Sequence, residues 1–272
     1  MFLIDCAEGT QVQLRRNKIK FSKINHIFIS HLHGDHFYGL IGLVSSFMLL
    51  NRTNDLHIYG PKGIKEVITL QLRLSNSWTS YGLCFHELES NESVVVYEDD
   101  KVIVSTIPLK HRIYTNGYLF SEKIGEKRIN AEAMKAHQIE VCYFQNVKNG
   151  KDVTLDDGTI IPNAILTFEP VPPKSYAFCS DTVYNEQIVA KIKNVDLLYH
   201  EATFLESESA LAERTMHSTA KQAAAIALQG DVKQLLLGHY STRYDNITLF
   251  KEEAEAVFPN VLLADDGLSF EI

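Results

Sequence analysis

The spacing of apolar positions changes repeatedly along the chain. Phe2–Ile4 is a short apolar start, and residues 26–30 (HIFIS) run apolar into a polar cluster, which predicts a buried strand. Residues 37–50 are apolar over a helical length. Residues 56–59 predict a strand. Gly60-Pro61 then opens an amphipathic stretch reaching Leu74, with Pro61 suited to a first helical turn. Residues 93–97 and 102–107 alternate or are β-branched around Asp99-Asp100, the pattern of a hairpin. Asn116–Glu122 predicts a further strand.

Residues 123–173 differ. They hold Asp157-Gly158, Pro162, Pro170 and Pro172-Pro173, interrupt the apolar rhythm, and read as an insertion with small elements of its own. Regular alternation then resumes with strand 176–179, helix 184–195 and strand 196–199. An Ala-rich helix over 218–228 follows, capped by Ser218 or Thr219. Strand 234–237, helix 248–258 and one or two strands within 261–272 complete the chain. Strands alternating with helices predict an α/β fold of helix-covered sheets, and the length of 272 residues allows one large domain or two small ones. Five candidate strands stop at or just before a His or Asp: His31, His111, Asp181, His200 and His239. Together they predict one sheet rim that carries a polar site.

Composition narrows the class. The 272 residues are 45% hydrophobic and 22% charged, which excludes a disordered or disulfide-stapled chain. Against 34 acidic side chains stand 26 basic ones, a net charge of −8. That excludes a basic coat for nonspecific nucleic-acid binding but not a local basic patch. Cys6, Cys84, Cys142 and Cys179 form no CxxC pair, so neither a disulfide framework nor a zinc ribbon is expected. The reducing cytoplasm is the expected location. No apolar run reaches membrane-spanning length. The opening MFLIDCAEGTQ lacks the basic start and long apolar stretch of a signal peptide.

The sharpest chemistry lies in His31-Leu32-His33-Gly34-Asp35-His36. Three imidazoles and a carboxylate in one loop suit zinc or another borderline divalent ion. Residues two apart leaving a strand can share a side, so His31 and His33 can take one ion. Gly34 permits a bend that turns Asp35 and His36 toward a neighbouring position. One loop cannot fill two coordination shells. His111, Asp181, His200, His217 and His239 are the candidates for the remainder.

HLHGDH after an apolar strand resembles the metallo-β-lactamase superfamily. Leu3-Ile4-Asp5-Cys6-Ala7-Glu8-Gly9-Thr10-Gln11, Ser180-Asp181-Thr182, His200-Glu201-Ala202-Thr203, His217-Ser218-Thr219 and Gly238-His239-Tyr240-Ser241-Thr242-Arg243-Tyr244 resemble, in order, signatures of its ribonuclease Z branch. The resemblance covers nearly the whole chain. It implies a single domain spanning 1–272, an αββα sandwich with a dinuclear site at a sheet rim, holding two zinc ions per chain, with manganese or iron as substitutes. It implies an endoribonuclease that removes the 3′ trailer from precursor transfer RNA, leaving a 3′-hydroxyl on the transfer RNA and a 5′-phosphate on the trailer. His31, His33 and His111 would hold one ion, Asp35, His36 and His239 the other, and Asp181 would lie between. Such two-metal clamps keep their ions ~3.5–4 Å apart. By the same resemblance Asp5 orients the His-rich loop and Asp35 accepts a proton near the nucleophile. His217 gives a proton to the leaving oxygen, Glu201 holds the His217 tautomer, His200 packs rather than ligates, and the enzyme is a homodimer.

The insertion at 123–173 has the position of the family's flexible, transfer-RNA-clasping arm, although residues 137–145 (HQIEVCYFQ) lack the family's Gly-Pro tip. Lys127, Arg128 and Lys135 are its candidate phosphate contacts. Two features depart from the family. A Gly-rich strand–loop–strand ordinarily precedes the Asp5 motif, so N-terminal strands at the edge of the first sheet are expected to be missing. Ala7 replaces a usual Gly, which would cost ~1 kcal/mol if φ there were positive. Two other readings remain. A small-molecule phosphodiesterase or arylsulfatase-like hydrolase would use the same ligands but has no use for a long arm. A metal-binding scaffold without catalysis is disfavoured by Glu201 and His217.

Overall fold

The computed structural model describes residues 1–272. The chain divides into two compact units. Residues 1–97, 104–120 and 175–272 form the first, and residues 98–103 and 121–174 the second.

The first unit opens with β1 (Phe2–Ile4), α1 (Thr10–Arg16), β2 (His26–Phe28), α2 (Gly34–Phe37), α3 (Leu40–Leu49), β3 (Leu56–Pro61), α4 (Ile64–Leu74) and β4 (Leu83–Leu88). Its four strands form a parallel sheet in sequence order. Ile27, Ile29, Leu56 and Ile58 pack with Leu40, Leu43 and Phe47 of α3 and with Ile64, Ile68 and Leu72 of α4. The four-residue spacing of those last three gives α4 its single buried face.

β5 (Val95–Glu98), β6 (Val102–Pro108) and β7 (Asn116–Glu122) begin the second sheet. The second unit follows, with β8 (Arg128–Ile129), α5 (Ala131–Ala136), α6 (Phe144–Lys148), β9 (Val153–Thr154), β10 (Ile160–Ile161), α7 (Asn163–Leu166) and β11 (Thr167–Phe168). It has a small core of its own around Met134, Val147, Val153 and Leu166.

The chain then returns through β12 (Ser175–Cys179), β13 (Leu197–Glu201), α8 (Ser209–Thr215), α9 (Ala220–Gly230), β14 (Gln234–Gly238), α10 (Thr248–Glu255) and β15 (Val261–Leu263). The second sheet has the order β15-β14-β13-β12-β7-β6-β5, and β12 to β15 run parallel. Ala220, Ala223, Ala224 and Ala227 let α9 lie close on Leu198, Leu235 and Leu237, with Phe250 and Ala254 of α10 beside it. Thr219 caps α9 in a capping box with Gln222. The inner faces of the two sheets meet through aromatic rings: Phe28 lies 5.2 Å from Tyr118 and Phe2 5.4 Å from Phe120. The buried Tyr118 hydroxyl donates to the Ile29 carbonyl at 2.7 Å. The layers therefore run helices, sheet, sheet, helices.

Several local expectations are corrected. Pro61 ends β3 instead of starting a helix, and α4 begins at Ile64 after Gly63 in a left-handed turn. Residues 184–195 form no α-helix, only a 3-10 turn at Glu186–Ile188. Ile188, Ile192 and Val195 are nonetheless buried, so a turn-rich segment satisfies the apolar spacing. The elements α1, β4 and α8 have no sequence expectation. α1 buries no residue and β4 buries none fully, so neither shows a clear apolar face. Ala7 lies outside the residues with positive φ, so the expected strain is absent. Asp5 (φ 54°) and Gly9 (φ 80°) take that conformation instead. All four cysteines are free, and no helix is long and apolar enough to cross a membrane.

Candidate metal centre

Loops leaving β2, β6, β12 and β14 converge on one rim of the first unit. Asp5 anchors the His-rich loop. Its Oδ1 accepts from the Ser30 amide at 2.7 Å, and its Oδ2 accepts from the Ser30 hydroxyl at 2.9 Å and from His36 Nδ1 at 2.7 Å. Committing Nδ1 in this way directs His36 Nε2 inward. That atom is buried and has no hydrogen-bond partner, a condition that a metal bond relieves.

Asp181 sits at the centre. Its Oδ2 lies 3.5 Å from His31 Nε2 and 3.6 Å from His111 Nε2. Its Oδ1 lies 3.3 Å from His36 Nε2 and 3.1 Å from His239 Nε2. His33 Nδ1 completes the first side, 3.0 Å from His31 Nε2 and 3.3 Å from His111 Nε2. Asp35 Oδ2 completes the second, 3.5 Å from His36 Nε2 and 3.8 Å from His239 Nε2. The donor atoms of His31, His33, His111 and Asp181 thus lie within 4.8 Å of one another, as do those of Asp35, His36 and His239. Nitrogen and carboxylate donors at this density fit divalent metal ions.

Partners behind the imidazoles orient them. His111 Nδ1 donates to the Met216 carbonyl at 2.8 Å. His239 Nδ1 donates to Thr203 Oγ1 at 2.9 Å, and that hydroxyl in turn donates to Glu201 Oε2 at 2.7 Å. Both rings therefore present Nε2 lone pairs to the cluster. Asp5, Asp181 and His239 hold left-handed backbone conformations at φ 54°, 60° and 61°. Non-glycine residues take this conformation at a cost and cluster at functional sites.

The electrostatics call for cations. Burial keeps His31 neutral, its pKa lowered to about 3. Burial likewise lowers that of His111. For His36 burial also favours the neutral form, but the nearby carboxylates of Asp181 and Asp5 outweigh it and raise the pKa to about 10. His239 is raised against burial by Asp35 and Asp181. Asp35 is lowered to about 2, chiefly through His239. Asp181 lies far below the carboxylate range because its imidazole neighbours outweigh burial.

Beside the cluster, Glu201 is fully buried and its Oε1 accepts from His217 Nδ1 at 2.8 Å. His217, Asp181 and His239 also bring donor atoms within 4.8 Å of one another, so His217 borders the cluster directly. A cleft of about 270 Å³ opens here, lined by His33, Asp35, His111, Arg112, Asp181, Thr215, His217 and His239. His200 lies apart from it. This residue is fully buried and hydrogen-bonds the Glu201 carbonyl through Nδ1 at 2.8 Å. In the second unit, Lys127 pairs with Glu169 at 3.1 Å and Arg128 Nε donates to the Glu169 carbonyl at 3.1 Å, while Lys135 is exposed without an ion pair. Sequence reasoning missed Ser30 and Thr203, which lie within or beside motifs already singled out but whose contacts only folding reveals, and it did not place Arg112 in the cleft.

An αββα sandwich with a His/Asp cluster at its rim defines a protein of the metallo-β-lactamase fold. A family model described as "Anti-Pycsar protein Apyc1" matches residues 1–259. The whole chain is 47% identical to the Ribonuclease Z of Bacteroides fragilis, covering 90% of that protein. It is equally 47% identical to the Ribonuclease Z of Bacteroides thetaiotaomicron, covering 86%. The crystal structure of the short form of human tRNase Z matches with a TM-score of 0.71 and 26% identity, covering 100% of this chain and 88% of that one. The chain belongs to the ribonuclease Z family of metal-dependent endoribonucleases, within the metallo-β-lactamase fold.

Proposed function

We propose that this chain cleaves precursor transfer RNA endonucleolytically, removing the 3′ trailer and leaving a 3′-hydroxyl and a 5′-phosphate. The observation that carries the reading is the pair of buried Glu201 and part-exposed His217 beside a carboxylate, Asp181, whose two oxygens face separate donor sets. His31, His33 and His111 would hold one ion, Asp35, His36 and His239 the other, with Asp181 shared between two zinc ions. Manganese or iron suits the same donors. Two such ions supply Lewis acidity and lower the pKa of water.

The chain's own residues do the rest. His217 protonates the leaving 3′ oxygen, which would otherwise depart as a strongly basic alkoxide, so that it leaves as the 3′-hydroxyl. Glu201 keeps the His217 Nδ1 proton in place, so Nε2 is the atom left to carry the transferred proton. Asp35, with its side chain 65% exposed, takes up a proton at the cleft. Asp5 and Thr203 hold His36 and His239 in the orientations these roles require. Residues 123–173, which lie in the second unit, serve as the arm that contacts the transfer RNA, with Lys135 offering an unpaired charge.

Incubation with a precursor transfer RNA beside bis(p-nitrophenyl) phosphate tests the reading. A single cut after the discriminator base supports it. Turnover of the small ester alone overturns it in favour of a small-molecule phosphodiesterase, and turnover of neither in favour of a scaffold. A cytoplasmic homodimer rests on the family resemblance, and the molar mass in solution, against 30.8 kDa for one chain, tests the dimer.

A further inference from the structure

Among the side chains lining the cleft, Arg112 alone carries a permanent positive charge. It is exposed, and its guanidinium makes no hydrogen bond or ion pair within the chain. The cleft carboxylates do not compete for it. Asp35 Oδ2 faces His36 and His239, and both oxygens of Asp181 face imidazoles. In a chain of net charge −8, an unpaired guanidinium in a small cleft is suited to receive an anion. Its backbone is well placed. Arg112 follows His111, whose ring is tied to the Met216 carbonyl at 2.8 Å. Met216, held left-handed at φ 63°, directly precedes His217. One hydrogen bond therefore brings the segment bearing Arg112 and the segment bearing His217 to the same cleft.

We infer that Arg112 positions the scissile phosphodiester by pairing with its non-bridging oxygens, and so is a substrate-positioning residue of this site. The inference deepens the function proposed above and rests on it for the identity of the substrate. A guanidinium meets phosphate as a planar fork, so it fixes orientation as well as charge. The phosphate charge exists before and during reaction. Loss of Arg112 therefore weakens binding more than it slows the bound complex.

The test uses the metal-loaded full chain and its Arg112→Ala and Arg112→Lys variants. KM and kcat are measured on the precursor, inhibition by inorganic phosphate on bis(p-nitrophenyl) phosphate turnover, and metal content by elemental analysis. Arg112→Ala should raise both KM and the phosphate inhibition constant about tenfold or more, with kcat changed less than about threefold and metal content unchanged. Arg112→Lys should fall between, because ammonium keeps the charge and loses the fork. Unchanged KM and unchanged phosphate inhibition in Arg112→Ala would overturn the inference. Loss of metal from that variant would also overturn it, by showing that Arg112 maintains the His111 loop. If the wild type leaves the precursor uncut while phosphate inhibition still depends on Arg112, the anion-positioning role stands and the transfer-RNA reading fails.

Discussion

Glu201→Gln separates charge from shape at the least accessible point of the site. The wild-type carboxylate is fully buried and accepts five hydrogen bonds. Oε1 receives the Thr182 amide at 2.9 Å and His217 Nδ1 at 2.8 Å. Oε2 receives the Thr203 amide at 3.2 Å, the Thr203 hydroxyl at 2.7 Å and the Ser218 amide at 3.1 Å. A glutamine must turn its NH₂ toward one group or the other. Facing the Oε2 side strands two backbone amides. Facing the Oε1 side strands only that of Thr182, because His217 can change tautomer and accept. The second arrangement should prevail. One stranded buried donor costs ~1–3 kcal/mol, which for a chain of this size lowers Tm by about 2–12 °C. The tautomer change removes the Nδ1 proton donation that stabilises the imidazolium. Precursor cleavage should therefore fall ~10²-fold or more, as far as in His217→Ala, with metal content unchanged. The pair also has an acid limit. Burial would raise the Glu201 pKa, but His217 lowers it overall. Its contribution is thus complete above the ordinary carboxylate pKa and is lost as pH falls through the lowered value. Calorimetry and gel-based cleavage of the purified variant suffice to check the prediction. A Glu201→Gln enzyme with wild-type Tm and near-wild-type cleavage would refute the reasoning.

Asp181→Asn should reduce the metal content measured by elemental analysis from near two per chain to one or less, since its oxygens face both donor sets; two retained ions would contradict a shared ligand. Chelation should abolish phosphodiesterase activity, and re-addition of zinc should restore it. His217→Ala should cut precursor cleavage ~10²-fold while costing much less on bis(p-nitrophenyl) phosphate, whose leaving group needs little protonation. Equal losses on both substrates, or loss of one ion, would make His217 a phosphate contact or a metal ligand. Lys135→Ala should weaken precursor binding without altering Tm, because Lys135 has no internal partner. Alanine at Lys127 or Arg128 should weaken binding and also lower Tm slightly, since each side chain engages Glu169. Precursor affinity unchanged in all three would remove the arm from RNA recognition.

What the chain announces by itself is local chemistry. The apolar runs that end in His31, Asp181 and His239 are legible because a buried strand needs continuous apolar residues and a sharp polar stop. The Ser218/Thr219 alternative at the head of α9 narrows to Thr219, whose side chain forms the capping box. Residues 184–195 mislead for a related reason: Ile188, Ile192 and Val195 recur at near-helical spacing, yet turns bury the same three side chains. Spacing reports which residues must face a core, not the backbone path that takes them there. The amphipathic signal is too weak in α1, where nothing is buried, and in β4, where nothing is fully buried.

At the site, residue types were readable and relations were not. Only the tertiary structure brings Asp181 between His31 and His239, partners 150 and 58 positions away in sequence, and turns one of its oxygens to each. The left-handed backbone at Asp5, Asp181 and His239 leaves no mark in the sequence, because long-range packing and hydrogen bonds impose it against local preference. The same holds for Arg112. As a sequence symbol it is one arginine after a histidine. It becomes an unpaired cation in the cleft because the fold places it there while the lining carboxylates Asp35 and Asp181 face imidazoles.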